Sequence, residues 1–421
     1  MVKTTFYFFV ETPWDYAICF GLANVIKSSG VKVRLELICS NQERVSNYDF
    51  SNLTGVYDKI HHVRSASFGK WKKGLTLRNI ISALSKYFPV ALRSYQDLQY
   101  INFSDDTFVF INGGGSLNKV MLLRRIKREK KFKSVLLTDV NVVSDKTLHS
   151  DWYLNRSQSA ILNMYVLFFG TAFLDVYWIK TPKSIKTNHR QLNFREKPSD
   201  YVFRTVYPLR YKKLQPGEIY LPLIAKNEAN RENSKGTVLF VGGKYHFLQG
   251  LPKKSEAMFF ERLNKIITLI TKKHSGLRLL YKSHPSQNQD DLDKVDLAGF
   301  EIESLISSED LFLNDSSLQT VYSVNSTSVQ SAASMGIQSF YLYNLFDLDE
   351  LSLPRTIQRH WNDRCDSEVY PEMNIRSIED WMNGKNDYVP LDMREKLNNS
   401  ILSMLEEVGV LDFIPEIKMA N

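Results

Sequence analysis

Cysteine is scarce: three in 421 residues, Cys19, Cys39 and Cys365, far apart and with no CxxC pair. That excludes a disulfide framework and a cysteine-built zinc site, and it is the usage of a reducing compartment. The opening MVKTTFYFFVETPWDY runs straight into a strand-like stretch and an acidic residue, without an extended apolar core and a small-residue cleavage site. A secretory leader is therefore not expected, and a cytoplasmic protein is. No internal repeat and no low-complexity tract occurs. Lysine and arginine are dispersed with no compact recognition motif, which argues against nucleic acid as a partner. Long apolar runs are missing but for one, AILNMYVLFFGTAFLDVYWI at 160–179, interrupted by Asn163 and Asp175. Its 20 residues could span a bilayer. The acid near one end, the β-branched and aromatic content and the lack of a second span favour a buried element of the amino-terminal domain. Peripheral contact with the inner face of the plasma membrane is the other reading.

What is present describes a folded protein. Hydrophobic residues make up 43% and charged residues 24%, ordinary globular values, and the length suits two domains of about 200 residues each. With 54 basic and 46 acidic side chains the net charge is +8, compatible with anionic small molecules or an anionic surface.

The chain opens as strand (4–10), loop (11–15), helix (16–28) and strand (33–39), with Gly30 stopping the helix, a parallel βαβ start. A helix is expected over 80–92 and a buried strand over 107–111. Asn112, Gly113, Gly114, Gly115 and Ser116 follow that strand and lead into a helix over 117–128. Glycines at such a place let backbone N–H groups approach an anion or a sugar, or simply make a tight turn. The pattern matches neither G-x-G-x-x-G nor a Walker loop with its lysine. A further strand, 134–138, ends at Asp139. Residues 181–236 lose periodicity. A second series then begins: strand 237–241 with Gly242 and Gly243 as its turn, helix 255–273, and strands at 277–281, 300–305, 320–324 and 337–343. These patterns predict two doubly wound α/β domains, with boundaries at 1–185, 237–375 and an interdomain crossing over 186–236. Helices at 376–421 close the chain.

Two short motifs carry the chemistry. Lys282, His284 and Pro285 stand at the end of one strand. Ser326, Thr327 and Ser328 stand where another strand gives way to a helix. A departing nucleotide gains negative charge on its leaving oxygen, so preorganised donors and positive charge are needed there. His284 can donate to or protonate that phosphate, and Lys282 supplies charge. The hydroxyls of 326–328 and the free N–H groups of a helix start can bind an anion, or can cap the helix.

Together these motifs resemble those of bacterial CMP-sialic-acid-dependent sialyltransferases and polysialyltransferases. Those families carry Lys-x-His-Pro and then Ser-Ser or Ser-Thr in the donor domain of a GT-B fold. The matching text is YKSHP at 281–285 and VYSVNSTSVQSAASMG at 321–336, preceded by VLFVGG at 238–243. CMP-Kdo transferases share the CMP donor and a His-Pro motif. The resemblance implies a GT-B fold, two Rossmann-like domains facing across a cleft, with acceptor on the first and donor on the second. It implies inverting transfer of an acidic sugar from CMP to a hydroxyl of a lipooligosaccharide or capsule glycan. In it Gly242, Gly243, Lys282, His284, Pro285, Ser326, Thr327 and Ser328 hold the donor, and Asn112, Gly113 and Gly114 face the acceptor. No cofactor and no metal is expected.

The chain departs from that family in one place. An acidic pair followed by glycine is expected at the end of an amino-domain strand, where this sequence has Ile111, Asn112, Gly113 and Gly114. Asparagine cannot take the acceptor's proton. Asp139 is the first substitute, and Glu11 and Asp15 in the first strand-to-helix loop are the next. Asp291, Asp293, Asp347 and Asp349 form two D-x-D strings in acidic surroundings, expected to be solvated surface. Donors carrying UDP, GDP or a CDP-polyol phosphate, and an inactive nucleotide- or glycan-binding homologue, are the alternatives.

Overall fold

The structure is a computed structural model. It describes residues 4–40, 55–64, 77–103, 106–112, 132–138, 176–180, 190–194, 201–207, 216–223, 236–243, 245–248, 251–284, 289–304, 306–353, 371–390 and 393–410, with isolated positions between them. The chain forms two compact units. The first takes the residues up to Val206, Leu214–Pro222 and those from Leu397; the second takes Tyr207–Lys213 and Leu223–Lys396.

In the first unit β1 (Thr4–Val10), α1 (Pro13–Ser28), β2 (Arg34–Ser40), β3 (Lys59–Val63), α2 (Leu77–Tyr100), β4 (Asp106–Asn112) and β5 (Phe132–Thr138) follow in order. Next come β6 (Val176–Lys180), β7 (Arg190–Phe194), β8 (Tyr201–Val206) and β9 (Glu218–Tyr220). Seven strands make one sheet in the order β3-β2-β1-β4-β5-β8-β9, every pairing parallel. β6 and β7 form an antiparallel pair of their own. A parallel sheet is covered on both faces, which is why Phe6, Tyr7, Phe8, Phe9 and Val10 are buried in unbroken succession. α1 starts on a capping box: Thr12 Oγ1 accepts from the Asp15 N–H, and the Asp15 carboxylate accepts from the backbone of Thr12. It stops before Gly30, whose φ of 75° a side chain would resist.

Two expectations need correction here. The helix expected over 80–92 runs through Pro89 to Tyr100, because Ala91, Ser94 and Leu98 carry its buried face onward. The crossing expected over 186–236 instead supplies β8 and β9 to the first sheet. Strands of six and three residues among lysine- and proline-rich loops leave little periodicity to read. Of the apolar run at 160–179, 176–179 belong to β6 and the rest lies outside the described residues. Among the described residues no helix is long and apolar enough to cross a membrane.

The second unit contains β10 (Thr237–Val241), α3 (Lys253–Lys273), β11 (Arg278–Lys282), α4 (Gln289–Leu292), β12 (Glu301–Glu303), α5 (Ser308–Asn314), β13 (Leu318–Ser323), α6 (Ser328–Ser334), β14 (Gln338–Tyr341) and α7 (Ile378–Met382). Its five-stranded sheet has the order β12-β11-β10-β13-β14, again parallel throughout. α3 lays Phe259, Leu263, Ile266, Ile267 and Ile270 into the core at helical spacing. The last helix, α8 (Arg394–Glu407), belongs to the first unit from Leu397 on. There its Ser400 Oγ accepts from the Tyr220 N–H at 3.3 Å. Two doubly wound, Rossmann-like parallel sheets, one per unit, make this an α/β protein.

Candidate functional site

In a doubly wound sheet the ligand crevice lies at the carboxyl ends of the strands where the strand order reverses. In the second unit the chain lays β11 and β12 on one side of β10, then returns to place β13 and β14 on the other. The reversal falls between β10 and β13. Gly242 and Gly243 leave β10 there, and Ser326 and Thr327 follow β13. Short bonds tie these ends together. Ser323 Oγ donates to the Val241 carbonyl at 2.7 Å and accepts from the Ser326 N–H at 3.2 Å. The Gly242 N–H donates to the Lys282 carbonyl at 2.9 Å. The donor-binding residues expected on three different strands thus share one rim.

Lys282 is the last residue of β11 and is only 7% exposed. Burial lowers its pKa from the ordinary lysine value, opposed by the carboxylates of Glu303 and Glu309. Glu309, at the start of α5, is in turn pushed above the usual carboxylate range by burial, opposed by its own backbone N–H, the hydroxyls of Ser308 and Ser307, and Lys282. Ser308 Oγ and Ser328 Oγ meet at 3.3 Å, joining the starts of α5 and α6.

His284 sits on a turn closed by the Gln287 N–H to the His284 carbonyl at 2.8 Å. The Gln287 side chain braces that turn with longer contacts: its Oε1 faces the His284 N–H at 3.4 Å and its Nε2 faces Tyr281 Oη at 3.4 Å. Tyr281 is fully buried and stacks on Phe240, ring centroids 5.5 Å apart. This packing explains Gly242. A Cβ there would stand 2.5 Å from Tyr281 Oη and 3.1 Å from Gln287 Oε1. At Gly243 it would stand 2.8 Å from the Tyr245 ring. The two glycines are required by aromatic packing under the rim.

The hydroxyl motif is arranged differently from a helix cap. Thr327 holds the N-cap position of α6 in a helical conformation and makes no side-chain cap bond. Ser326 Oγ instead accepts from the Ser328 N–H at 3.3 Å.

The first unit has its own reversal point, between β1 and β4. Glu11 follows β1, and Asn112 ends β4. Asp15 is buried and committed to the backbone: its Oδ2 accepts from the N–H groups of Glu11 and Thr12, both at 3.1 Å. Glu11 Oε1 accepts from Ser40 Oγ at 3.3 Å, at the end of β2. Ser40, Asn118 and Ser94, all buried, continue inward as a hydrogen-bonded row. Ser40, Asn118, Ser94, Glu309 and Gln287 were not singled out by the sequence, whereas Tyr281 was part of the YKSHP motif. Only Ser40, a serine closing an apolar strand, offered a signal.

Gly113, Gly114, Asp139 and Pro285 lie outside the described residues. Of the D-x-D strings, Asp291 departs from the solvated surface expected: it is 4% exposed, with Lys294 Nζ 3.9 Å away. Asp347 is a turn acid, its Oδ1 accepting from the N–H groups of Asp349 and Glu350. Among the described residues no group of three or more His, Cys, Asp or Glu side chains is placed to hold a metal ion. Cys19 and Cys39 are buried, and burial pushes the Cys39 thiol up to about 12.

No family model matches the chain, and no curated protein matches it. Solved structures similar to it include a candidate UDP-N-acetylglucosamine 2-epimerase from Listeria monocytogenes, with TM-score 0.46, 10% identity and coverage of 99% of this chain and 98% of that one. Another is the S. aureus MnaA–UDP complex, with TM-score 0.45, 9% identity and 99% coverage of each chain. The glycosyltransferase VinC with dTDP aligns at TM-score 0.39 and 11% identity, over 97% of this chain and 99% of that one.

Proposed function

We propose that the protein is a glycosyltransferase that takes a nucleotide-activated sugar and transfers the sugar to a hydroxyl of a glycan acceptor. The observation that carries this reading is the shared rim at the second sheet's reversal point. Gly242, Lys282, His284 and the unengaged cap position of Thr327 gather there. A buried cation, an imidazole and hydroxyl donors suit an anionic leaving group. In the reaction the acceptor O–H bond breaks and its proton passes to a carboxylate. The acceptor oxygen bonds to the anomeric carbon. The anomeric C–O bond to phosphate breaks with its electron pair going to the phosphate oxygen, which His284 and Lys282 receive. Asp139, Glu11 and Asp15 are the candidates for that carboxylate, and Asp15 also caps the first helix.

The finer reading names the donor as a CMP-activated acidic sugar, sialic acid or a related ulosonate, and the acceptor as a surface glycan. It rests on the YKSHP and VYSVNSTS motifs, and it goes with a place at the inner face of the plasma membrane. UDP, GDP and CDP-polyol donors are its rivals. Calorimetric titration of CMP, UDP, GDP and CDP into wild-type protein and His284→Ala decides. One nucleotide should bind, and His284→Ala should weaken it about tenfold or more while lowering turnover of the matching donor by about 10²–10⁴. Tightest binding of UDP would replace the CMP assignment. If none of the four binds, the reading is lost.

A further inference from the structure

His284 lies beyond the ladder of β11, which ends at Lys282, so strand pairing does not set where its side chain points. One residue, Gln287, takes hold of the main chain on both sides of it. The Gln287 N–H donates to the His284 carbonyl at 2.8 Å, and the Gln287 side-chain Oε1 accepts from the His284 N–H at 3.4 Å. The first bond holds the peptide plane after the His284 Cα, and the second holds the plane before it. Peptide groups are planar, so holding both planes sets the two soft dihedrals of His284 and with them the direction of its Cα–Cβ bond.

The Gln287 side chain is itself seated. A backbone N–H can only donate, so the amide oxygen is the end that faces His284. Tyr281 Oη stands 3.4 Å from the amide nitrogen, from which it accepts, and 3.5 Å from the amide oxygen. Tyr281 is fully buried and stacks on Phe240, with the rings 7° from parallel. Its hydroxyl is therefore a fixed point of the sheet. A Cβ on residue 242 would come within 3.1 Å of Gln287 Oε1, so Gly242 leaves the amide its seat. From core to rim the order is Phe240, Tyr281, Gln287, His284, all within the second unit.

We infer that Gln287 is a positioning residue for His284. It holds the imidazole preorganised for the leaving phosphate, with Tyr281 as its anchor. This rests on the glycosyltransferase reading above and deepens it. Misplacement of a reacting group by about 1 Å can cost about a hundredfold in rate, so the loss of one bracing amide should be measurable.

The test is a double-mutant cycle on the full chain. CMP, UDP, GDP and CDP are titrated by calorimetry, and turnover is followed with the donor matching the tightest of them. Gln287→Ala should weaken that nucleotide about tenfold and lower kcat about tenfold to a hundredfold. In a His284→Ala background it should change neither, whereas a merely structural role would cost the same factor in both backgrounds. Tyr281→Phe keeps the stacked ring and removes the hydroxyl. It should weaken binding about threefold with His284 present and not at all without it, and it carries the test if near-ultraviolet circular dichroism shows Gln287→Ala unfolded. If His284→Ala weakens binding but Gln287→Ala matches wild type, or costs the same factor with and without the imidazole, the positioning role is overturned and the site stands. If His284→Ala binds as wild type does, the imidazole is not at the phosphate and the inference falls alone. If wild type binds none of the four, the glycosyltransferase reading falls, and this inference with it.

Discussion

The two parallel sheets reverse their strand order in the same way, yet their reversal points are built from opposite materials. At β1 and β4 the first unit gathers acceptors: Glu11, Asp15 and a buried amide–hydroxyl row, all joined by hydrogen bonds. At β10 and β13 the second gathers a cation, an imidazole and hydroxyls. That rim is shaped by the rings of Phe240, Tyr281 and Tyr245. The topology supplies a crevice in each case, and the side chains decide which sign of charge it receives.

If the second crevice is defined by packing, the largest effect should come from filling it. Gly242→Ala puts a methyl group 2.5 Å from Tyr281 Oη, and the ring cannot retreat because it is fully buried. We expect a loss of about 3 kcal/mol in stability, the upper part of the overpacking range, together with loss of nucleotide affinity. Chemical denaturation measures the first and calorimetry the second. A variant as stable as wild type would show that the rim yields, and would remove the contrast with the hydrogen-bonded first crevice.

The units should also part company in acid. In the second, burial is the main cause that lowers His274 from 6.5 to about 4. Its neutral ring meets Tyr322 Oη at 2.8 Å. The unfolded state therefore binds the extra proton first, and stability present above pH 6.5 is lost as pH falls from 6.5 to about 4. The loss is about 2 kcal/mol once partial solvent contact is allowed for. In the first unit burial would raise Glu36, but the His61 hydrogen bond and the charges of Arg34 and His61 outweigh it and hold the carboxyl below 4.5. That contribution persists above 4.5 and fades only as pH falls below it. Hydrogen exchange at pH 7 and pH 5 should show the second unit loosening first, and His274→Gln should abolish the difference. Equal loosening of both units would contradict this account.

What the sequence disclosed follows from what its patterns measure. Apolar runs and helical spacing reveal buried elements, so β1, α1, β10, α3, β11 and β13 were legible, and with them the two-domain class. Lys282, His284 and Ser326 were legible as candidates because unusual polar residues interrupt strand ends. β8 and β9 were not, being short and set in polar loops. The row from Ser94 through Asn118 to Ser40 was invisible for another reason. Its members are 78 residues apart at the extremes of one bond, and a lone serine or asparagine has many commoner uses. The capping role of Asp15 was not legible, because a capping acid and a catalytic one look alike along a chain.

That last ambiguity gives the smallest and most pointed prediction. Asp15→Asn keeps an oxygen that can accept from the Glu11 and Thr12 N–H groups, both now 3.1 Å away. The cap should survive, and only the charge at the start of α1 is lost, worth about 0.5 kcal/mol. If Asp15 is a cap and Glu11 the base, turnover should fall less than about threefold, in contrast to the roughly 10³ expected of Glu11→Gln. Both substitutions replace a carboxylate by its amide at the start of α1, Glu11 just before the helix and Asp15 in its first turn. A collapse of turnover in Asp15→Asn with stability intact would favour Asp15 over Glu11 as the base.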